Sequence, residues 1–309
     1  MSLSQPELLS LDMIWDGAPH NAFTDLARHR GSWFCSFREA PAHALCAGGI
    51  RLLRSEDGLS WKSAASFALS GVDLRDPKIS KGPVGTIDLV MGASPIRKGR
   101  YEGRKTLQTR SVEGGSWTPL RQVSEEGDWI WRVDRSGGRS YGISYRLPSP
   151  RRWTVTLLAS DDGFAYRDLA PLEVPGKPNE ATLRFRGREA IALVRREAGN
   201  GRAWIGKSAP PYREWRWEET KERVGGPDFI VLPDLSLVAA ARIWRRGKPR
   251  VAVCSMTGAS LTPLLELPSG GDCGYPGMVH HRGVLWLSYY SSHEGKSKIY
   301  LAKVKLPSA

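Results

Sequence analysis

The sequence has few cysteines and no long apolar segment. Its 309 residues include four cysteines, Cys35, Cys46, Cys254 and Cys273. They form no C-x-x-C pair and have no histidine at zinc-ligand spacing, so we expect buried thiols rather than a structural zinc. A transmembrane helix is excluded because no run of about 18 apolar residues is present. The first residues lack a basic region followed by an apolar one, which predicts a cytoplasmic protein without a secretory signal.

Basic residues and turn residues are abundant. Lys and Arg number 45 against 32 Asp and Glu, so the formal net charge is +13 and favours encounters with anions. The basic residues are spread over the whole chain without the signature of a nucleic-acid-binding module, so nucleic acid is not an expected partner. With 33 Gly and 21 Pro, turns are frequent, which indicates an all-β fold of short strands.

A short turn motif occurs three times between residues 55 and 166. Residues 55–61 have the pattern S-x-D-G-x-x-W, residues 160–166 repeat it with Tyr for Trp, and residues 111–117 are a looser copy. In such a turn the Asp caps backbone N–H groups and the Gly adopts a left-handed conformation. A spacing near 50 residues between copies that join short strands indicates a β-propeller.

We expect one domain, residues 1–309, built from six blades. The blades are placed at about 21–66, 70–122, 128–172, 177–220, 224–268 and 273–305, and segment 8–15 would close the ring beside the last blade. The innermost strand of each blade lines the central channel of a propeller. The mouth of that channel is the expected ligand site.

The order of charged and phenolic residues in the second half of the chain bears on function. Glu180 opens a predicted strand, Arg195 and Arg242 end later strands, and Tyr275 opens the last blade. Together with the turn motif, this order resembles the sialidase (neuraminidase) superfamily. The turn motif is similar to the Asp-box, or BNR repeat, of that superfamily, and the resemblance implies a six-bladed β-propeller.

The resemblance to sialidases also implies roles for individual residues. Tyr275 would be the nucleophile and Glu180 its general base, while Arg38, Arg195 and Arg242 would clamp the carboxylate of the sugar. Guanidinium groups stay charged and bind carboxylates bidentately, and a neutral phenol avoids the repulsion that a carboxylate nucleophile would meet there. The implied activity is hydrolysis of glycosides of an acidic sugar, with neither a metal nor an organic cofactor.

The general acid is left open by the resemblance. In the family, an Asp on a loop after the first Arg usually has this role, but the corresponding loop contains no Asp here. Glu39, His43 or Asp76 would have to supply the proton. His43, Arg75 and Arg132 are further candidates for substrate binding.

Two other interpretations remain open. The tripeptide at 75–77, Arg-Asp-Pro, resembles a motif of invertase- and arabinanase-type glycosidases, in which Asp25, Asp76 and Glu180 would be the three carboxylates in the channel. Such an enzyme would act on a neutral sugar. Alternatively, the chain is a non-catalytic propeller that binds an acidic glycan or a protein, which the missing loop Asp favours.

Overall fold

The protein is built almost entirely of β-strands, as shown by a computed structural model that describes residues 5–307. Within that range twenty-five strands form six antiparallel sheets, and the prediction of an all-β, six-bladed β-propeller is confirmed. Within the described range, helical structure is limited to a single 3-10 turn, Pro83–Gly85. None of the described residues belongs to a helix with the length and apolar character to cross a membrane.

Strand β1 (Glu7–Trp15) precedes the first blade. The strands of the first three blades, in chain order, are β2 (His20–His29), β3 (Ser32–Ala40), β4 (Gly49–Ser55) and β5 (Lys62–Phe67); β6 (Val72–Lys81), β7 (Ile87–Arg97), β8 (Arg100–Tyr101), β9 (Lys105–Ser111) and β10 (Arg121–Gln122); and β11 (Trp129–Ser136), β12 (Arg139–Ser149), β13 (Arg152–Ser160) and β14 (Arg167–Leu172).

The last three blades have the same meander topology. Their strands are β15 (Pro178–Arg186), β16 (Glu189–Arg196), β17 (Arg202–Ser208) and β18 (Arg216–Arg223); β19 (Gly225–Val231), β20 (Leu237–Arg245), β21 (Lys248–Thr257) and β22 (Ser260–Leu267); and β23 (Cys273–His281), β24 (Val284–Ser291) and β25 (Lys298–Lys305). Strand β1 completes the sixth blade by pairing antiparallel with β25. The first and last strands are thereby joined in one sheet, which closes the ring.

Apolar side chains on the faces of neighbouring blades pack together and hold the ring. Between the fourth and fifth blades, for example, Leu193, Phe229 and Ile243 belong to one buried cluster. Alternating strand residues supply these faces, since successive side chains point to opposite sides of a sheet. The core therefore lies between the blades, and the axis remains free for polar residues.

The three repeated turn motifs join the outer two strands of the first three blades. In the first copy, Asp57 Oδ1 accepts hydrogen bonds from the N–H groups of Leu59 (2.8 Å) and Ser60 (2.9 Å), and Gly58 has a left-handed φ of 74°. Asp162 accepts two equivalent bonds in the third blade. The copy in the second blade keeps the bond from a glycine N–H to a serine hydroxyl. Because these turns lie on the outer strands, they are distant from the channel.

The innermost strand of every blade has a bulge at an equivalent position. Its pairing with the second strand shifts register there in all six blades. Phe23, Asp76, Gly226 and Tyr275 lie in these bulges and have left-handed φ values of 61°, 53°, 54° and 53°. A bulge re-aims side chains, and a left-handed conformation costs a non-glycine residue about 1 kcal/mol or more. The bulges direct Phe23, Asp76, Glu180 and Tyr275 to one cavity.

Candidate active site

The centre of the site is a buried pair formed by a phenol and a carboxylate. Tyr275 donates its hydroxyl proton to Glu180 Oε1 at 2.5 Å. Glu180 Oε2 accepts from Arg195 Nη1 and from the N–H of Gly226, both at 2.7 Å. Gly226 also has a steric role, because a Cβ there would lie 2.6 Å from the ring of Tyr275. The carboxylate is thus held by three donors that come from three blades.

The electrostatics of this pair keep the proton on the phenol in the resting state. Burial opposes ionisation of Glu180, yet the charge and hydrogen bonds of Arg195, with the bonds from Tyr275 and Gly226, hold its pKa below the usual value. Burial and the Glu180 charge raise the pKa of Tyr275 above its usual range. Glu180 is therefore an ionised acceptor aimed at a neutral phenol, the arrangement expected of a general base and its nucleophile.

Arg195 connects the pair to a second carboxylate. Its Nη2 lies 2.5 Å from Glu197 Oε1, and its Nη1 also donates to the hydroxyl oxygen of Tyr275 at 3.2 Å. Two neighbouring carboxylates, of Glu180 and Glu197, therefore neutralise this guanidinium. Its position allows it to stabilise negative charge that develops on Tyr275.

Arg242 lies behind the phenol rather than on the cavity wall. Its guanidinium carbon is 5.3 Å from the centroid of the Tyr275 ring. Its Nε donates to the carbonyl of Cys273 at 2.6 Å, and its Nη2 donates to the hydroxyl of Tyr290 at 3.3 Å. These contacts fix Arg242 against the ring, where its positive charge favours the phenolate form of Tyr275.

A cavity of about 220 Å³ opens beside this pair at the mouth of the channel. It is lined by aromatic, acidic and basic side chains: Phe23, His43, Arg75, Asp76, Ser94, Tyr101, Arg104, Trp129, Tyr145, Glu180, Arg195, Glu197 and Tyr275. This volume is below the roughly 300–1,000 Å³ of pockets for drug-sized ligands, so it suits a single small unit such as one sugar ring. Larger open clefts lie elsewhere: one on outer strands is lined by Arg188 and Trp215, and one of about 500 Å³ lies at the opposite mouth of the channel, where the innermost strands end.

Asp76 is the second carboxyl group in the cavity. Burial raises its pKa above the usual value, and the charges of Arg75 and Lys78 do not outweigh that effect. The ionised Glu180 adds to the same effect. The pKa values of Asp76 and Glu180 are thus shifted in opposite directions, a divergence that suits Asp76 to give a proton and Glu180 to accept one.

The other two candidate acids differ in position. His43 lines the cavity, but its Nδ1 is hydrogen-bonded to Asp272 at 2.7 Å. Glu39 lies outside the lining and is engaged by Trp15 Nε1 at 2.7 Å and by Arg51 at 2.9 Å. Its partners hold it on the first blade, so Glu39 is corrected from a candidate acid to a structural residue.

Arg38 does not reach the cavity, which corrects its predicted place in the substrate clamp. It is fully buried, with Nε donating to Asp73 Oδ1 at 2.7 Å and Nη1 donating to the carbonyl of Ala42 at 2.9 Å. The backbone of Gly48 packs so closely that a Cβ there would lie 2.4 Å from Arg38 Nε. Arg38 therefore anchors the loop after β3 to the second blade.

Arg132 and Asp25 lie in a separate group of buried charges, which corrects the predicted role of Arg132 in substrate binding and that of Asp25 as a carboxylate in the channel site. Arg132 Nη1 donates to Asp25 Oδ1 at 2.8 Å, and its Nη2 is 3.1 Å from Asp228 Oδ2. The side chains of all three are at most 3% exposed. With the buried Lys78 they form what we call the buried charge layer. Neither Arg132 nor Asp25 is among the residues that line the cavity.

Arg75 lies in the cavity, as expected, and Arg104 lies there without having been predicted. The guanidinium of Arg104 rests over the rings of Trp129 and Tyr145, at 5.1 and 5.4 Å from their centroids. Its Nη1 and the Nε of Arg75 are buried and have no hydrogen-bond partner among the described residues. A buried donor without a hydrogen bond is costly, and both of these donors belong to side chains that line the cavity. Arg104 precedes a strand without any motif, so the sequence offered no signal for it.

Comparisons with known proteins support the fold class. No protein-family model matches the sequence, and no curated protein is significantly similar to it. A protein of unknown function from Dyadobacter fermentans DSM 18053 superposes with a TM-score of 0.84 at 18% identity, over 98% of this chain and 99% of that one. An α-L-arabinofuranosidase of Fusarium graminearum gives 0.73 at 12% identity, over 96% and 98%.

The sialidase of Trypanosoma rangeli is also similar in structure. It superposes with a TM-score of 0.72 at 10% identity, over 93% of this chain and 55% of the sialidase. The chain therefore spans about half the length of that enzyme. At these identities the likeness is one of fold: the chain has the sialidase-type six-bladed β-propeller fold, which glycoside hydrolases use.

Proposed function

We propose that the protein is a retaining glycoside hydrolase that acts on an acidic sugar at the mouth of the channel. The observation that carries this proposal is the 2.5 Å hydrogen bond from Tyr275 to the ionised Glu180, buried beside a second carboxyl group, Asp76, whose pKa is raised. A nucleophile, its base and an acid thereby share one small cavity.

In the first step, Tyr275 Oη attacks the anomeric carbon of the bound sugar. Glu180 takes the phenolic proton as the new bond forms, since the pKa of Tyr275 is too high for prior ionisation. Asp76 gives its proton to the glycosidic oxygen, which departs as an alcohol. Arg195 stabilises the charge that develops on the phenol oxygen. The product is a glycosyl–tyrosine intermediate, with Glu180 protonated and Asp76 ionised.

In the second step, the roles of the two carboxyl groups reverse. Asp76 takes a proton from a water molecule as the water oxygen attacks the anomeric carbon. The bond to Tyr275 breaks, and Glu180 returns its proton to the phenol oxygen. Both carboxyl groups regain their starting protonation, and two displacements retain the configuration of the anomeric carbon.

The charges that remain available in the cavity favour an anionic sugar. Arg195 is already neutralised by two carboxylates and Arg75 is paired with Asp73 at 3.7 Å, whereas Arg104 lines the cavity without a salt bridge among the described residues. A carboxylate on the substrate would form a strong charge-assisted interaction with the guanidinium of Arg104. The size of the cavity suits a terminal sugar unit, so we propose exo-acting hydrolysis.

Replacing the phenol tests the nucleophile. We expect Tyr275→Phe to lower the turnover of aryl sialosides or aryl hexuronides by about three orders of magnitude or more, because the nucleophile that forms the glycosyl intermediate is lost. 2,3-Difluorosialic acid gives a covalent intermediate with the Trypanosoma rangeli sialidase. If this protein accepts sialosides, 2,3-difluorosialic acid should label it covalently in the same way. Mass spectrometry should then find the sugar on the peptide that contains Tyr275.

The matched control is Tyr300→Phe, since Tyr300 donates to Glu294 on the last blade and is outside the cavity. It should keep wild-type turnover. Tyr275→Phe protein that folds normally and turns over the same substrate at the wild-type rate would refute the nucleophile assignment. Binding of the sugars without turnover by the wild-type protein would favour a non-catalytic propeller.

A neutral furanoside is the second candidate substrate. Two observations favour it: Arg195 is neutralised by Glu180 and Glu197, and Arg38 lies outside the cavity. The structural neighbours include an α-L-arabinofuranosidase and an α-L-arabinanase. In this case Asp76 and Glu180 would be the two catalytic carboxyl groups, and Asp25 would have no catalytic role. Turnover of aryl α-L-arabinofuranosides, together with none of the carboxylated glycosides, would establish this alternative.

A further inference from the structure

A second group of chemically reactive side chains lies at the edge of the cavity. His20 is the first residue of β2, His43 lies on the loop after β3, and Asp272 directly precedes β23. His20 Nε2 and His43 Nδ1 lie 2.9 and 2.7 Å from the same oxygen, Asp272 Oδ2. The three atoms are all within 4.8 Å of one another. Three segments distant in sequence thus bring two imidazoles and a carboxylate to one point.

Neighbouring residues hold these three side chains in orientation. Tyr290 donates to the other carboxylate oxygen, Asp272 Oδ1, at 2.7 Å. The two imidazole rings meet edge to face with centroids 5.2 Å apart, and Phe23 packs against His43 at 5.4 Å. The side chain of His20 is 12% exposed, whereas that of His43 is 53% exposed. One side of the cluster is therefore fixed in the protein, and the other can be reached from solvent.

We propose that His20, His43 and Asp272 form a binding site for a divalent transition-metal ion such as zinc, cobalt or nickel. Imidazole and carboxylate ligands suit these ions, whereas magnesium and calcium prefer sets of oxygen ligands. Three protein ligands leave coordination positions for water or a substrate group. The outer hydrogen bond from Tyr290 to Asp272 is the kind of contact that orients a metal-ligating carboxylate.

The ligand atoms need only a small adjustment to hold an ion. Tetrahedral zinc with bonds of about 2.0–2.1 Å places its ligand atoms about 3.3 Å apart, so the present separations of 2.7 and 2.9 Å would widen by about half an ångström. His43 can supply this movement because it lies on an exposed loop. The ion would fasten this loop to the sixth blade, beside the cavity that His43 lines.

The site can be tested by titrating metal-free protein, without any substrate. After dialysis against EDTA, we expect one equivalent of Zn²⁺ or Co²⁺ to bind in isothermal titration calorimetry, and Co²⁺ to develop visible absorption bands. His43→Ala should weaken this affinity at least tenfold, and its exposed position makes a folding defect unexpected. His29→Ala is the matched control, since His29 lies at the opposite end of β2 and contacts Val112; it should bind as the wild type does.

Thermal unfolding provides a second readout. Zn²⁺ should raise the Tm of the wild-type protein and of His29→Ala, because an ion that binds the native state stabilises it, and should not raise that of His43→Ala. Three results would overturn the proposal: no saturable binding of one equivalent, equal affinity in His43→Ala, or equal binding of Mg²⁺. The first would show that the cluster is held by hydrogen bonds alone.

Discussion

The cavity and the buried charge layer contain the same kinds of residue, yet they differ in whether those residues line a space that a ligand can enter. In the layer, Arg132 contacts both Asp25 and Asp228, and the side chain of each acid is almost fully buried. In the cavity, Arg104 keeps a buried nitrogen without a partner, and burial raises the pKa of Asp76. Buried atoms without a hydrogen-bond partner occur in both regions, since Arg132 Nε and Asp228 Oδ2 also lack one in the described part of the chain, but Arg104 and Asp76 line the cavity, where a ligand can approach them.

The two regions are also mechanically connected. Thr24 Oγ1 donates to the carbonyl of Tyr275 at 2.8 Å, and Arg132 Nη2 donates to the carbonyl of Pro276 at 3.1 Å. Lys78 Nζ donates in turn to the carbonyl of Thr24 at 3.0 Å, and burial lowers the pKa of this amine to about 8. The buried charge layer therefore holds the left-handed backbone that presents the phenol of Tyr275.

Asp76 in the cavity and Asp25 in the buried charge layer offer the sharpest contrast between the two regions. Of the two residues, Asp76 should have the larger effect on turnover when it is replaced, as in Asp76→Asn. We expect turnover of glycosides with a poor leaving group to fall about 100-fold or more, because the general acid is lost. Substrates with a good leaving group, which need little protonation, should be affected far less. Comparing the two kinds of aryl glycoside measures the difference, and equal losses on both would contradict the role of Asp76 as the acid.

The same substitution should stabilise the protein at neutral pH. The pKa of Asp76 is raised in the folded state, whereas an unfolded Asp titrates near 3.9. Between these values the folded state binds the extra proton, so the stability contribution of Asp76 decreases as pH rises through this window. Asp76→Asn should therefore have a higher Tm than the wild type at pH 7, with the difference shrinking below pH 4.

Asp25→Ala should instead destabilise the fold. It leaves the buried guanidinium of Arg132 with one carboxylate fewer and removes the acceptor for the N–H of Ile79. Breaking a buried pair in this way costs about 3–5 kcal/mol. Urea unfolding at pH 7 measures the change, with Asp161→Ala as the control, since the exposed Asp161 should contribute within about 0.5 kcal/mol. Equal stabilities would show that the layer does not support the ring.

The sequence predicted the fold better than the details of the site. The turn motif is local, because Asp57 bonds to N–H groups two and three residues further along, so its recurrence was enough to predict the propeller. Arg38 was misplaced because its partner Asp73 comes from the next blade. A long-range partner of this kind leaves no local pattern, and neither did the position of Arg104 over two aromatic rings.

The smallest expected effect comes from comparing Arg104, which lines the cavity, with Arg97, an exposed arginine in the same blade. Arg104→Ala removes a charge-assisted hydrogen bond to the substrate carboxylate, and such bonds contribute about 1.5–3 kcal/mol. Because Arg75 remains, we expect the lower end, an increase of about tenfold in KM for a carboxylated glycoside with little change in kcat. Arg97→Ala, which removes a side chain that is 76% exposed, should leave KM unchanged. An equal rise in KM for neutral glycosides would show that Arg104 shapes the cavity without recognising charge.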